Sequence, residues 1–491
     1  MRGIADAVSQ AVRRRDTTVT RLIHLLLTRL TLVVAGGLTS VIVARVLGPA
    51  DRGAYWVIVT IATTATALGN LSVEQSQTTL WTREADRPAI TANAPWLGLA
   101  VGSVAVFFAV LITVLAAVFL PGTGAMPVTD RSSLAWGLAA VPFMMAIVYV
   151  NNAHVLHART GVVNRGTLAG AAVQCSALVA LGVLGRLTVE WVVIIWTVSA
   201  VTNLAVLLPS LPVRLPRDRP LIRRTLSCGL RYHPGSVCNF LLLRSDVLVL
   251  NAMSTPTAVG IYSMAVVPTE LLRVMADTVV QVVLPRQMEA GEETAALYTA
   301  RAIRITVALS VVPVALFCLA GPALVVAVVG PAFAGCVVPM LVLAPGVAAV
   351  AVARPAAAHL LRLNLPVRTS LMYGGALLVN LVLNILLIPG TGVTGCALAS
   401  TVAYTALAAA QVGWFARSTG VPLRRLVPGA VEVREIAHRL SGLGGLGGLG
   451  GLSVRAPEAG PLHEVPDTSS RGRPDTPSAE RPGTPSRDPA P

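Results

Sequence analysis

The sequence predicts an all-α integral membrane protein with about twelve transmembrane helices in two pseudo-symmetric six-helix lobes. Three observations predict this fold: an apolar composition, a series of long apolar windows, and a motif that occurs twice. Of the 491 residues, 54% are apolar and only 12% are charged, against about 25% charged residues in soluble proteins. One hydrophobic core cannot absorb so many apolar residues, so lipid must solvate most of the chain.

Apolar windows of about twenty residues, the length that crosses a bilayer, predict the individual spans. They lie at 28–47, 54–78, 96–120, 133–156, 162–184, 189–212, 236–252, 258–285, 302–325, 336–362, 368–388 and 392–415. The domains predicted from them are a basic cytoplasmic segment 1–27, a first lobe 28–212, a basic cytoplasmic linker 213–235, a second lobe 236–415 and a tail 416–491. Because the tail is rich in glycine and proline, it is expected to be disordered and cytoplasmic.

The distribution of basic residues predicts the orientation. All 38 are arginines, a composition typical of GC-rich bacterial genomes. With a cytoplasmic N-terminus, 24 arginines flank the spans on the cytoplasmic side and four lie on the other side, namely Arg45, Arg52, Arg131 and Arg186. The positive-inside rule therefore predicts a multi-pass protein of a bacterial cytoplasmic membrane with both termini cytoplasmic.

Several kinds of site are not expected. The aromatic content of 4% leaves few rings to stack on bases, and the basic residues lie in loops, so nucleic acid is not an expected partner. The six cysteines form no Cys-x-x-Cys pair and most lie in or beside apolar runs, so we expect packing residues and no metal site or cofactor.

A short motif divides the chain into two related parts. The pattern Pro-x3-Gly-x-Tyr begins at Pro49 and again at Pro256, 207 residues later. The same offset carries the start of the first span onto the start of the seventh. The chain is therefore interpreted as a duplicated six-helix unit.

The same offset relates two polar stripes. The eighth span carries Glu270, Arg273, Asp277 and Gln281, and the positions 207 residues earlier are Thr63, Thr66, Asn70 and Glu74. Steps of three, seven and eleven residues fall on one helix face. Each lobe is thus expected to present a polar face on its second helix, although the threonines alone could simply bond neighbouring helices.

Seven ionisable residues lie well within the predicted spans: Glu74, Arg244, Asp246, Glu270, Arg273, Asp277 and Arg354. At about 3 kcal/mol each against lipid, their cost would exceed the stability of a typical protein, so they must face a wet interior. Spacing on one helix predicts that Arg273 pairs with Glu270 and Asp277, either within a cavity or as a purely structural salt bridge. Arg244 and Asp246 are about 200° apart, so only one of them is expected to face the cavity.

The tenth span contains Pro339, Pro345 and Pro355, with Arg354 directly before the last. Proline frees a backbone carbonyl and permits bending. We therefore expect either a moving gate with Arg354 at its kink or a kink that serves packing alone.

Four sequence stretches carry a family resemblance across about residues 25–415. They are Ala44–Pro49 with Gly53 and Tyr55, Asp246–Ser263 with Glu270 and Pro285, Val329–Phe333 with Leu343–Pro345, and Ile388–Ala399. In these the chain resembles Wzx-type polysaccharide and oligosaccharidyl-lipid flippases of the multidrug/oligosaccharidyl-lipid/polysaccharide export (MOP) superfamily. The long proline-rich tail and the scarcity of aromatic residues depart from that pattern.

The resemblance implies a transporter that moves an undecaprenyl-pyrophosphate-linked oligosaccharide from the inner to the outer leaflet by rocking two lobes around a cationic cavity. Because arginine keeps its charge and binds phosphate in a bidentate manner, the expected substrate-binding residues are Arg273, Arg354, Arg244 and, at the outer end, Arg45. The expected ion-coupling residues, for H⁺ or Na⁺, are Asp246, Glu270, Asp277 and Glu74. Asn70, Thr66 and Gln281 are expected to line the cavity, and the remaining partners are membrane lipids.

Three other functions stay open at this stage. A cation-coupled multidrug exporter shares the fold, but it needs carboxylates without cavity arginines. A membrane glycan polymerase or ligase needs a sizeable external loop or an outer carboxylate cluster, and the predicted outer loops are short. A scaffold for glycosyltransferases would act through the tail. The protein is therefore not expected to be an enzyme.

Overall fold

The computed structural model describes residues 2–119, 131–211, 218–363 and 365–429. Within these ranges the chain forms α-helices joined by short turns and 3₁₀ segments, and no strand occurs. The helices are α1 Arg2–Gly69, α2 Val73–Leu80, α3 Arg87–Phe119, α4 Arg131–Ala139, α5 Val141–Leu156, α6 Thr160–Val183, α7 Val189–Leu207, α8 Arg219–Gly229, α9 His233–Met253, α10 Pro256–Glu289, α11 Glu292–Val329, α12 Val337–Arg362 and α13 Pro366–Thr419. The predicted all-α fold is confirmed.

Nine helical segments in the described ranges are long and apolar enough to cross a membrane. The protein is thus a multi-pass membrane protein. Two of the nine contain a break, because the backbone at Gly48 (φ 74°) in α1 and at Gly392 (φ 57°) in α13 is not helical. The charged helix α10 is not among the nine. The count of twelve spans stays a prediction.

The offset of 207 residues relates helices as well as motifs. Shifted back by 207, α10 covers 49–82, α11 covers 85–122 and α12 covers 130–155. These ranges match the second part of α1 with α2, then α3, then α4 with α5. The two parts of α13 likewise fall on α6 and α7. We refer below to α1–α7 as the N-terminal half and to α9–α13 as the C-terminal half.

The two halves meet mainly where α1 packs against α10 and α9. At this crossing each copy of the repeated motif contacts the other. A Cβ atom on Gly53 would lie 1.8 Å from the carbonyl oxygen of Pro256, and one on Gly260 would lie 1.9 Å from that of Pro49. Only glycine permits so close an approach of two backbones.

The segments outside the predicted lobes contain more helix than expected. The predicted N-terminal segment is continuous with the first span in α1, and the predicted linker contains α8, which packs against α2 and α3. Beyond the predicted tail boundary at residue 416, α13 continues to Thr419 and Leu426 is buried beside Phe415. Residues 430–491, most of the predicted tail, lie outside the described residues.

Candidate functional site between the two halves

The charged residues of α10 pair with neighbouring helices. The Arg244 guanidinium of α9 lies 3.1 Å from the Glu270 carboxylate, and Arg354 Nε of α12 lies 2.9 Å from Asp277 Oδ1. All four side chains are about one-third exposed. The predicted pairing of Arg273 with both carboxylates on one helix is wrong, because α9 and α12 pack on α10 and supply other guanidinium groups.

Arg273 lies between these two ion pairs along α10. Its Nε atom is buried and has no hydrogen-bond partner in the described protein. The side chain lines a small cavity together with Asp246, Glu270 and Tyr404. The cavity has a volume of about 20 Å³. An unpaired buried donor costs about 1–3 kcal/mol, so the Arg273 Nε–H is a hydrogen-bond donor that the described protein leaves unused.

Arg244 also reaches the N-terminal half. Its guanidinium lies 5.9 Å from the ring centre of Trp56 on α1, and Arg52 lies at the same distance from that ring. Of Arg244 and Asp246, only one of which was expected to face the cavity, Asp246 lines the small cavity beside Arg273, whereas Arg244 contacts Glu270. Two guanidinium groups, one from each half, thus lie within cation–π distance of the Trp56 ring.

Arg52 is a residue that sequence analysis misread as an outer-loop arginine. It is only 1% exposed and lies inside α1. Its guanidinium donates to Ser263 Oγ on α10 at 2.9 Å, and to the carbonyl and hydroxyl oxygens of Ser40 at 2.8 and 2.9 Å. The sequence did carry one indication of this role, because Arg52 lies between Pro49 and Gly53 of the repeated motif. Arg52 thus links the two halves beside the glycine crossing.

Arg45 contacts the end of a helix in the other half. Its guanidinium donates to the carbonyl oxygens of Val328 and Ala327 at 2.5 and 3.0 Å. These carbonyls belong to the last turn of α11, where basic groups are favourable. Its described contacts therefore join α1 to α11 in this conformation.

Asp246 belongs to a buried polar cluster inside the C-terminal half. It is 2% exposed and accepts hydrogen bonds from the Tyr262 hydroxyl and from Ser400 Oγ, the latter at 3.3 Å. Asn380 donates to Ser400 Oγ at 3.2 Å, and Asn384 donates to Asn380 Oδ1 at 3.0 Å. The buried Asn384 Oδ1 has no partner. The cluster offers carboxylate, amide and hydroxyl oxygens, and the sequence identified only its carboxylate.

The predicted polar stripe of the N-terminal half does not lie on one helix. Helix α1 ends at Gly69, and Leu71 and Ser72 have left-handed backbone angles before α2 begins. Thr66 is buried and donates to the Ala62 carbonyl of its own helix, so its predicted place in the cavity stays a prediction.

Asn70 and Glu74 flank this helix break. The Asn70 amide donates to Glu74 Oε2 at 2.9 Å, and Asn152 of α5 donates to the Glu74 carbonyl oxygen at 3.0 Å. Glu74 is therefore anchored within the N-terminal half. The side chain of Gln281 lies outside the described residues.

Two larger cavities border these groups. One of about 350 Å³ is lined by Gln75 of the N-terminal half and, in the C-terminal half, by Arg354 and residues of α9, α10, α12 and α13. The other, of about 820 Å³, is mainly apolar and lies between α1, α3 and Leu248 of α9.

Comparison with known proteins identifies the family. The family model described as polysaccharide biosynthesis protein matches residues 20–290, which is more than half of the chain. The chain belongs to this polysaccharide biosynthesis family. No curated protein matches the sequence.

Solved structures share the fold of this family member. The lipid II flippase MurJ in an inward closed conformation aligns with a TM-score of 0.68 and 12% identity, over 82% of this chain and 89% of that one. An inward-facing multidrug resistance MATE transporter of the MOP superfamily aligns with a TM-score of 0.57 and 14% identity, over 80% and 98%. A mutant of the Vibrio cholerae MATE transporter VcmN gives 0.58 and 12%, over 80% and 94%. The predicted family and superfamily fold are confirmed, and both are those of flippases and transporters, not of enzymes.

Proposed function

We propose that this protein flips an undecaprenyl-pyrophosphate-linked oligosaccharide from the inner to the outer leaflet of a bacterial cytoplasmic membrane, with both termini in the cytoplasm. The proposal rests on one observation above all: Arg244, Arg273 and Arg354 lie on three packed helices of the C-terminal half. Arg244 and Arg354 also lie beside the N-terminal half, near Trp56 and Gln75 respectively. A pyrophosphate cannot cross about 30 Å of hydrocarbon unaided. Guanidinium groups bind phosphate in a bidentate manner and keep their charge.

The pairing of the arginines suggests how the substrate enters. Arg273 is the first ligand, because its Nε has no protein partner. In the conformation described here, Arg244 and Arg354 pair with Glu270 and Asp277. An arriving pyrophosphate competes with these carboxylates for the guanidinium groups. Substrate binding thereby releases two carboxylates, which changes the contacts among α9, α10 and α12 and biases the conformational equilibrium.

The crossing of α1 and α10 supports alternating access around this site. The contacts of Arg45, Arg52, Gly53 and Gly260 join the two halves at this crossing. If the halves rock, the contacts of Arg45 and Arg52 across the crossing break, and the substrate site becomes accessible from the other side of the membrane.

Asp246 is the proposed coupling residue. A carboxylate at 2% exposure needs a compensating charge or proton. The surrounding amide and hydroxyl oxygens of Asn380, Asn384 and Ser400 suit a hard cation such as Na⁺, and the carboxylate alone suits a proton. Asp246→Asn should abolish the response of transport to an imposed ion gradient. A normal response in this variant would remove Asp246 from the coupling step.

Transport of a labelled lipid tests the function directly. Liposomes containing the full chain receive a fluorescent undecaprenyl-pyrophosphoryl sugar, and its movement between leaflets is followed by quenching from outside. We expect Arg273→Gln to abolish transport, Arg273→Lys to weaken it, and the exposed Arg417→Gln to leave it unchanged. Failure of the wild-type protein to move the lipid would refute the proposal.

A cation-coupled multidrug exporter remains the second candidate, because MATE transporters share the fold. A cationic drug is repelled by guanidinium groups, so this function predicts the opposite result: Arg273→Gln should improve transport of a cationic dye.

A further inference from the structure

The cavity of about 350 Å³ beside Arg354 has a lining unlike that of the apolar cavity. It is bounded by Tyr232 at the start of α9, Tyr373 of α13 and Gln75 of α2, with Arg354 of α12. The volume lies near the lower end of the range for small-molecule sites, about 300–1,000 Å³. That is the scale of one or two sugar rings and not of a long glycan.

The positions of the tyrosines single out this cavity. The chain has seven tyrosines, and four are buried: Tyr55, Tyr149, Tyr262 and Tyr404. Of the other three, Tyr232 and Tyr373 line this one cavity, while Tyr298 lies on α11. Only 4% of the residues are aromatic, yet two partly exposed tyrosine rings line this one cavity. The negative face of a tyrosine ring attracts the C–H groups of a pyranose ring.

The polar groups of the cavity suit sugar hydroxyls. Ser236 and Asn239 of α9 line it, and Gln75 Oε1 is buried without a hydrogen-bond partner. Hydroxyl and amide groups both donate and accept hydrogen bonds, as sugar hydroxyls do. The described lining residues include no carboxylate, which a cationic ligand would require.

We propose that this cavity binds the saccharide unit attached to the pyrophosphate. The inference rests on the proposed function and deepens it: Arg354, at the edge of the cavity, holds the phosphate, and the first sugar stacks on Tyr373 and Tyr232. Such a transporter recognises the sugar nearest the lipid and accepts glycans that differ in their more distant sugars.

Binding of matched lipids tests this subsite. The full chain in nanodiscs is titrated with undecaprenyl pyrophosphate and with three derivatives carrying one glucose, galactose or N-acetylglucosamine. We expect at least one sugar-bearing lipid to bind more tightly than the sugar-free lipid. Tyr373→Ala should remove that gain, about 5- to 10-fold, and leave affinity for the sugar-free lipid unchanged. Tyr373→Phe should retain most of the gain, and Tyr298→Ala should behave as wild type.

The outcomes separate the subsite from the transport function. If no sugar increases affinity, or if Tyr373→Ala weakens all four lipids equally, the subsite is refuted while the flippase proposal stands. If the wild-type protein binds none of the four lipids, both fail. Asn239→Leu provides a second variant in case Tyr373→Ala does not fold, and the same selective loss is expected from it.

Discussion

Replacing Gly260 with alanine tests the crossing that joins the two halves. The added Cβ would lie 1.9 Å from the carbonyl oxygen of Pro49 and 2.8 Å from its carbonyl carbon. Close C···O contacts in proteins measure about 3.3 Å, so α1 and α10 would have to separate by about 1.4 Å. The steric contact is with backbone, so no side chain can rotate away to relieve it.

The energetic consequence has two parts. Overpacking at a close contact costs about 1–3 kcal/mol. The Arg52–Ser263 hydrogen bond spans the same crossing at 2.9 Å, and separation of the helices would stretch a charged hydrogen bond worth about 1.5–3 kcal/mol. We therefore expect Gly260→Ala to destabilise the conformation described here by about 3 kcal/mol, which is a shift of more than 100-fold in its population.

Thermal unfolding in detergent and lipid transport in liposomes measure this effect. The matched control is Gly413→Ala in α13, where a Cβ meets nothing within 4 Å. That substitution should be neutral or stabilising by up to about 1 kcal/mol, because alanine favours helix over glycine. Equal melting temperatures and equal transport for the two variants would refute the reasoning.

Three further predictions concern other parts of the molecule. The single variants Arg354→Asp and Asp277→Arg should each lower the melting temperature, and the double variant that exchanges the two residues should restore it. Lipid titration should show that the double variant does not regain substrate binding. Asp246→Asn should lower the Na⁺ or H⁺ dependence of thermal stability, and an unchanged dependence would exclude a cation at this cluster. Truncation after Gly420 should lower the melting temperature, because it removes the buried Leu426. Truncation after residue 429 should leave both the melting temperature and transport unchanged. Loss of transport in this second truncation would favour a scaffold role for the tail.

Much of the helical layout could be predicted because it depends on local patterns. Apolar windows need only composition, and the repeat beginning at Pro49 and Pro256 needs only spacing. The breaks at Gly48 and Gly392 coincide with predicted span boundaries, where an apolar window ends close to a glycine and a proline.

The contacts of the charged residues could not be predicted in the same way. Spacing on α10 favoured an intrahelical triad, but the partners of Glu270 and Asp277 come from α9 and α12. Arg52 was counted as a loop residue because a side chain's burial against Ser263, 211 residues away, leaves no local trace. Likewise, the link from Asp246 to Ser400 spans 154 residues and depends on how α9 and α13 pack.

The Trp56 ring lies 5.9 Å from the guanidinium groups of both Arg52, on its own helix, and Arg244, in the opposite half. Indole emission shifts in wavelength and intensity when a nearby charge moves. A variant that keeps this tryptophan and replaces the other six would therefore carry a built-in optical reporter, free of any attached dye, for the moment at which the two halves part.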